Sequence, residues 1–344
     1  MEITTIGIDL AKQVFQIHGV DSAGKAVLKK QLRRDQMLTF FVQVPPCLIG
    51  MEACGGSHFW ARKLLRLGHQ VRLMAPQFVK PYVKSNKNDR ADAEAICEAV
   101  ARPNMRFVAV KNTEQQAVLA LHRVRQSFVH ARTAQGNQIR GLLAEFGQVI
   151  PQGFAALRQR VPDILEDASN ELPGSFRLLV QRMLDHLNVL EAQVDELNTQ
   201  IHAWHRANAD SQKLEQIPGI GPITASALVA SVGDAAQISC GRELSAWIGL
   251  VPRQHSSGGK ERLLGISKRG DVYLRTLLIH GARALVRLAQ LHPERYKWLA
   301  ALIARSNANI AAVAVANKNA RIAWAVLAHC RAYVANYSPM QQPA

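Results

Sequence analysis

Acidic residues are scarce in this chain, and so are aromatic ones, at 6%. Asp and Glu number 26 against 42 Lys and Arg, which leaves a formal charge of +16. A field of that sign is far from the balance of an ordinary metabolic enzyme and favours a polyanion, with an anionic membrane surface or mere solubility as the bland alternatives. The five cysteines, Cys47, Cys54, Cys97, Cys240 and Cys330, include no C-x-x-C pair. An odd, scattered set argues against a disulfide framework and against a zinc site. No stretch approaches the roughly 18 uninterrupted apolar residues of a membrane span, and MEITTIGIDLAK lacks the basic and apolar regions of a leader. The expectation is a soluble, cytoplasmic protein with no membrane partner. A G-x-S-x-G elbow is also missing, so an esterase-type triad is not indicated.

What is present is enough chain for two domains with an extended helical piece, since 344 residues at 48% hydrophobic composition can bury substantial cores. From Ile3 to about Val100, β-rich runs alternate with helical ones. ITTIGID, VFQIHGV and AVLKKQL are followed by CLIGMEA, a helix ending at Gly68, QVRLMA and DRADAEAICEAVA. This predicts an α/β domain that opens with a meander. From about Asn112 to Phe146 the β-branched runs give way to a helix carrying Arg123, Arg125, Arg132 and Arg140, a grip for phosphates or a solvated face. Between Ser175 and Arg206, the residues Val180, Met183, Leu187, Leu190, Val194, Leu197, Ile201 and Trp204 follow heptad spacing. That spacing predicts a coiled-coil arm, whose seam either folds back on the preceding helix or pairs with another copy, the second being favoured.

Four carboxylates recur at places suited to chemistry. Asp9 ends the first strand and Glu52 another, while Asp89 and Asp92 share one face at the start of a helix. Hard cations such as Mg²⁺ prefer carboxylate oxygens, and a paired site activates one phosphate oxygen while stabilising the leaving one. Such is the logic of ribonuclease-H-like nucleases. The competing reading makes Asp89 a helix cap and the others solvated strand ends. The actin and sugar-kinase ATPases also open on a GID-like strand, but glycines should follow the Asp there, and here Leu10, Ala11 and Lys12 follow.

The C-terminal part opens with IPGIGPITA, in which Pro218, Gly219 and Gly221 break one helix before another begins. This fits a helix-hairpin-helix that presents backbone N–H groups to phosphate, or a tight turn with no ligand. Next comes a Gly-punctuated stretch carrying Arg253, Lys260, Arg262, Lys268, Arg269 and Arg275 around HSSGG, and then an Ala-rich helical segment. A serine attacks a phosphodiester only when its proton is taken and cations stabilise the phosphate; passive phosphate binding is the commoner use of such a loop. His255 is a base, a phosphate contact or only structural, the last two ranking higher.

GIDLAK, GMEACGG and NKNDRADAEAI together resemble the DEDD metal site of a family of bacterial insertion-sequence transposases. IPGIGPITA and GLVPRQHSSGGKERLLGISKRGDVYLRTLL resemble that family's C-terminal domain. The family is that of the RNA-guided bridge recombinases, the IS-one-ten family, and the resemblance runs in order over nearly the whole chain. It implies an α/β plus α architecture. Residues 1–110 would be an RNase H-like (RuvC-like) mixed sheet with Asp9, Glu52, Asp89 and Asp92 on Mg²⁺, and 111–210 a helical and coiled-coil region. Residues 211–344 would be a mostly helical transposase domain with the helix-hairpin-helix and the serine loop. It further implies donor and target DNA as partners, an element-encoded guide RNA, a homodimer or homotetramer, and a composite site in which a serine is the nucleophile. The family pattern sets that serine directly before the first Gly, at Ser257, with Ser256 in reserve. The alternative is a Mg²⁺-dependent RNase H-like nuclease or junction resolvase in which the serine only binds DNA.

Overall fold

Three strands form the opening meander: β1 (Thr5–Leu10), β2 (Val14–Val20) and β3 (Ala26–Arg33). Then follow α1 (Met37–Val42), β4 (Leu48–Glu52), α2 (Ser57–Arg66), β5 (Gln70–Met74) and α3 (Pro76–Val79). The segment closes with α4 (Asp89–Val100) and β6 (Phe107–Val108). The sheet order is β3-β2-β1-β4-β5-β6, with β1, β4 and β5 parallel and the other pairings antiparallel. This is the mixed sheet expected of an RNase H-like fold. The computed structural model describes residues 2–84 and 88–335; Asn86 and Lys87 of the NKNDRADAEAI motif, and residues 336–344, lie outside the described residues.

Period-2 alternation sorts the central strands into two unlike faces. Ile6, Ile8, Ile49 and Met51 are fully buried in the core they share with Trp60 and Leu64 of α2. On the other face stand Gly7 and Gly50, over which α4 is laid. A Cβ on Gly7 would sit 2.2 Å from the Ala93 carbonyl oxygen, and one on Gly50 would sit 2.7 Å from the Val100 Cβ. Gly7 therefore lets the helix backbone, and Gly50 the Val100 side chain, come within contact distance of the sheet.

The chain divides into two compact units, Met1–Gln115 with Val232–Gln237, and Gln116–Ser231 with Ile238–Ala344. The helical region and the C-terminal segment, expected as separate domains, thus fall in one unit. Its elements begin with the long α5 (Thr113–Ala144), α6 (Phe154–Glu166) and α7 (Gly174–Ala207). The α7 seam is buried inside the chain, which corrects the favoured pairing with another copy. Val180, Leu184 and Leu187 join Ile139 and Leu143 of α5 and Leu157 and Val161 of α6 in one core. Leu184 takes the buried place expected for Met183, which is half-buried against that core. Arg125 donates to Asn198, and Glu191 accepts ion pairs from Arg132 at 3.7 Å and Arg158 at 3.2 Å. Arg140 donates to the Pro151 and Gly153 carbonyls. Of the four arginines of α5, three are thus spent on internal partners, whereas Arg123 is exposed.

The rest of this unit is α8 (Ala209–Glu215), α9 (Pro222–Val232), α10 (Gly241–Ile248), a hairpin of β7 (Pro252–Gln254) and β8 (Leu263–Ile266), α11 (Val272–Leu291), α12 (Lys297–Arg305) and α13 (Ala308–Ala328). Among the described residues α13 alone is long and apolar enough to cross a bilayer. It packs against α8, α10, α11 and α12, with Ala311, Ala312, Ala316, Ala320 and Ala323 fully buried. Its apolar character is accounted for by the interior of the helical unit.

Candidate metal centre and nucleic-acid interface

The two bare glycines decide where the carboxylates go. Asp9 and Glu52 lie two residues beyond Gly7 and Gly50, hence on the same sheet face, under the start of α4. The β1–β4 register pairs Ile8 with Met51, so its continuation sets Asp9 beside Glu52. On α4, Asp89 stands one turn before Ala93, which rides on Gly7, and Asp92, three residues after Asp89, shares the side of the helix that Asp89 faces. Asp89 does not cap its helix: the cap is Asn88, whose side chain accepts from the Arg90 N–H.

Carboxylate oxygens of Asp9, Asp89 and Asp92 all lie within 4.8 Å of one another. Glu52 is outside that trio yet feels it. Burial and then the charges of Asp9 and Asp92 push its carboxyl above the ordinary range. Crowding of this kind, three hard oxygen donors with a fourth acid held up in pKa by burial and then by its neighbours, is the donor chemistry a hard divalent cation fits. Glu52, expected from its place at the end of a strand, is brought beside Asp9 by the sheet register. Cys54 faces the same cluster: burial, then Glu52 and Asp9, raise its pKa.

In the second unit the SSGG string is a tight turn. Ser257 bridges to Lys260, whose N–H donates to the Ser257 carbonyl at 3.1 Å, and Gly258 and Gly259 hold φ of +57° and +77°. Two successive positive φ values at the centre of a hairpin define a type I′ turn, which explains the glycine pair without any appeal to flexibility. The two serines differ. Ser256 Oγ accepts from the Arg262 N–H at 3.2 Å and so belongs to the hairpin. Ser257 is exposed at the tip, and among the described residues no hydrogen bond is recorded to its hydroxyl.

Lys260 is exposed in this turn, Arg253 and Arg262 are exposed along the hairpin, and Lys268 and Arg269 are exposed at its base. Arg275 does not belong with them. It is 8% exposed, and its guanidinium donates to the Ile248 carbonyl at 2.8 Å and the Arg269 carbonyl at 3.1 Å. Its charge satisfies the end of α10 and locks the hairpin base, so its expected role as a nucleic-acid contact is corrected to a positioning one. Gly249 and Gly270 complete that base at φ +82° each. A Cβ on the first would meet the Arg269 carbonyl oxygen at 2.0 Å, and on the second the Trp247 carbonyl oxygen at 1.7 Å.

The Gly-rich turn between α8 and α9 has two unequal glycines. Gly219, at φ +85°, is packed against α11, where Gly281 lies so close that a Cβ there would be 1.8 Å from the Gly219 carbonyl oxygen. Gly221 is exposed with open space around it. Beneath this turn a buried chain joins three helices. His122 lies 3.0 Å from the Tyr273 hydroxyl and 3.1 Å from Ser226 Oγ, which itself donates to the Pro222 carbonyl at 2.7 Å. With the serine proton spent on Pro222, His122 donates from Nε2 and accepts the tyrosine proton at Nδ1, a neutral ring. Burial, then Arg125, lowers its pKa to about 4.

A mixed sheet that gathers acidic side chains at one helix start, joined to a helical unit with a basic hairpin, defines a nucleic-acid-processing enzyme of the DEDD type. A family model described as Transposase, of the DEDD kind found in IS110 elements, matches residues 6–147. A second, described as Transposase IS116/IS110/IS902 family, matches residues 211–297. The chain is 55% identical over 335 residues to a "Probable family 20 transposase" of Pseudomonas aeruginosa, covering 97% of this chain and 99% of that protein. It is 45% identical over 333 residues to the "Transposase for insertion sequence element IS1111A" of Coxiella burnetii, covering 96% and 92%. With the "Transposase for insertion sequence element IS1328" of Yersinia enterocolitica the identity is 44% over 325 residues, covering 94% and 96%. The chain belongs to the IS110 family of transposases, enzymes that cut and rejoin DNA.

Proposed function

We propose that this transposase acts as a site-specific DNA recombinase in which Asp9, Glu52, Asp89 and Asp92 hold Mg²⁺ and Ser257 is the nucleophile. The observation that carries the metal half is the 4.8 Å convergence of Asp9, Asp89 and Asp92. When bound, Mg²⁺ would supply Lewis acidity to phosphate oxygens. Asp9 and Glu52 orient from the sheet and Asp89 and Asp92 from the helix, so the ligand set is held by two rigid elements.

The serine half rests on the contrast between the two hydroxyls: Ser256 is committed to the hairpin, whereas Ser257 stands at its exposed tip. The Ser257 hydroxyl gives up its proton as its oxygen attacks phosphorus, and the bond to one deoxyribose oxygen breaks, that oxygen taking up a proton. The phosphate stays on the serine until a hydroxyl of the recipient strand displaces it, which regenerates the serine. Arg253, Lys260, Arg262, Lys268 and Arg269 neutralise the phosphates around this exchange, and Gly221 offers its one backbone N–H at the second turn. Metal and serine serve one composite site, with chains of a homodimer or homotetramer contributing to it, and an element-encoded RNA selects donor and target DNA.

Cleavage of element-end DNA in Mg²⁺, with and without element-derived RNA, tests this reading. Asp9→Asn and Ser257→Ala should each abolish strand exchange. Full cutting by Ser257→Ala would instead establish a metal-dependent nuclease or junction resolvase, with water as the nucleophile. Equal activity without RNA would remove the guide.

A further inference from the structure

Two cavities lie end to end along α4 in the N-terminal unit. The first, of about 390 Å³, is lined by Gln16 and His18 of β2, Lys29 and Gln31 of β3, and Arg90 and Glu94 of α4. The second, of about 460 Å³, shares His18 and Glu94 and continues past Lys84, Glu98 and Arg102. Charge separates them. In the second, Lys84 pairs with Glu98 at 3.0 Å and approaches Glu94 at 3.9 Å, and Arg102 pairs with Glu98 at 2.6 Å, so its cations are already answered. In the first, no ion pair is recorded for Lys29 or Arg90 among the described residues, and Glu94 is drawn toward Lys84 instead.

The first cavity also begins beside the acidic cluster. Gln16 is the cross-strand partner of Asp9, and Arg90 stands between Asp89 and Asp92 on the opening turn of α4. Converging carboxylates repel the phosphodiester they must hold, and nearby cations offset that repulsion. A lysine on the edge strand β3 also discourages edge pairing, but that role calls for neither a cavity nor an arginine from the facing helix.

We propose that this cavity holds a backbone phosphate of the DNA strand next to the one at the acidic cluster. Lys29 and Arg90 supply the positive charge, and Gln16 and Gln31 supply neutral hydrogen bonds. The inference rests on the reading of Asp9, Asp89 and Asp92 as the cutting centre. His18 is a buried wall of this site, 6% exposed.

The test uses the full-length chain and a fluorescent element-end duplex, with affinity followed by anisotropy across a NaCl series. Each of Lys29→Gln and Arg90→Gln should make the slope of log K against log[salt] shallower by about 1, and the double variant by about 2. Lys84→Gln should leave the slope unchanged, because that cation is committed to Glu98 and Glu94. Mn²⁺ titration calorimetry on every variant reports the acidic cluster separately. An unchanged slope in the double variant that still binds Mn²⁺ overturns the proposal. So does a slope change in Lys84→Gln equal to that of Lys29→Gln, which would mean diffuse attraction rather than a site. Normal cutting by Asp9→Asn would sink the metal-centre reading alone, since the slope change in Lys29→Gln would still assign the cavity to DNA.

Discussion

Acidification should loosen the helical unit through one buried ring. His122 is held neutral by burial among α5, α9 and α11, with its pKa lowered from 6.5 to about 4. Because the folded value lies below the unfolded one, the unfolded chain binds the extra proton first. Stability is therefore complete above pH 6.5 and falls as pH drops toward the folded pKa of about 4. Linkage puts the loss at about 2 kcal/mol by pH 5 and about 3 kcal/mol by pH 4. His122→Gln removes the titration and retains hydrogen-bonding capacity. It should be less stable than the parent by about 1–3 kcal/mol at pH 7.5, where the network is broken, and should close that gap as pH falls. Urea unfolding followed by circular dichroism measures both chains across the range. Were the stability difference between parent and variant the same at pH 7.5 and pH 5, the neutral buried ring would be the wrong account of this junction.

Three other perturbations bear on separate parts of the structure. Gly7→Ala puts a Cβ 2.2 Å from the Ala93 carbonyl oxygen, so it should cost about 1–3 kcal/mol and weaken Mn²⁺ binding measured by calorimetry; retained affinity would unlink α4 packing from the acidic cluster. Gly270→Ala combines a positive φ with a 1.7 Å approach to the Trp247 carbonyl oxygen and should abolish strand exchange while Mn²⁺ binding persists. Leu190→Lys buries a charge in the intrachain seam of α7 and should lower the helical unit's thermal midpoint, by circular dichroism, in step with a loss of about 3 kcal/mol; a change in light-scattering mass at an unaltered midpoint would return the seam to the subunit interface.

Strands β1 to β5 and helices α2 and α4 were legible because their periods are clean, whereas α1 and α3, of six and four residues, are too short to show one. TIGIDL alternates faces, and DRADAEAICEAV keeps its polar and apolar sides apart over three turns. The positions of Asp9 and Glu52 followed from strand ends, and those of Asp89 and Asp92 from helix spacing. Glycine gave less away. Nothing in the linear sequence sets Gly7 and Gly50 apart, and only the helix laid across them shows why nothing larger fits there. Heptad spacing on α7 announced a buried seam but not what buries it, because the pattern is the same for a partner in the chain and a partner outside it. Likewise an arginine in a basic run carries no mark of where its guanidinium ends up, and Arg275, aligned with its exposed neighbours in sequence, turns inward to two carbonyls.

The central claim is that a serine at the hairpin tip carries the DNA between cutting and joining. Trapping that species decides it: the chain is mixed with element-end DNA, element-derived RNA and Mg²⁺, quenched in denaturant, digested, and searched by mass spectrometry for a nucleotidyl-serine peptide. The account predicts the adduct on Ser257, retained in Ser256→Ala and lost in Ser257→Ala. Clean strand cleavage by the parent chain with no adduct on either serine would contradict it.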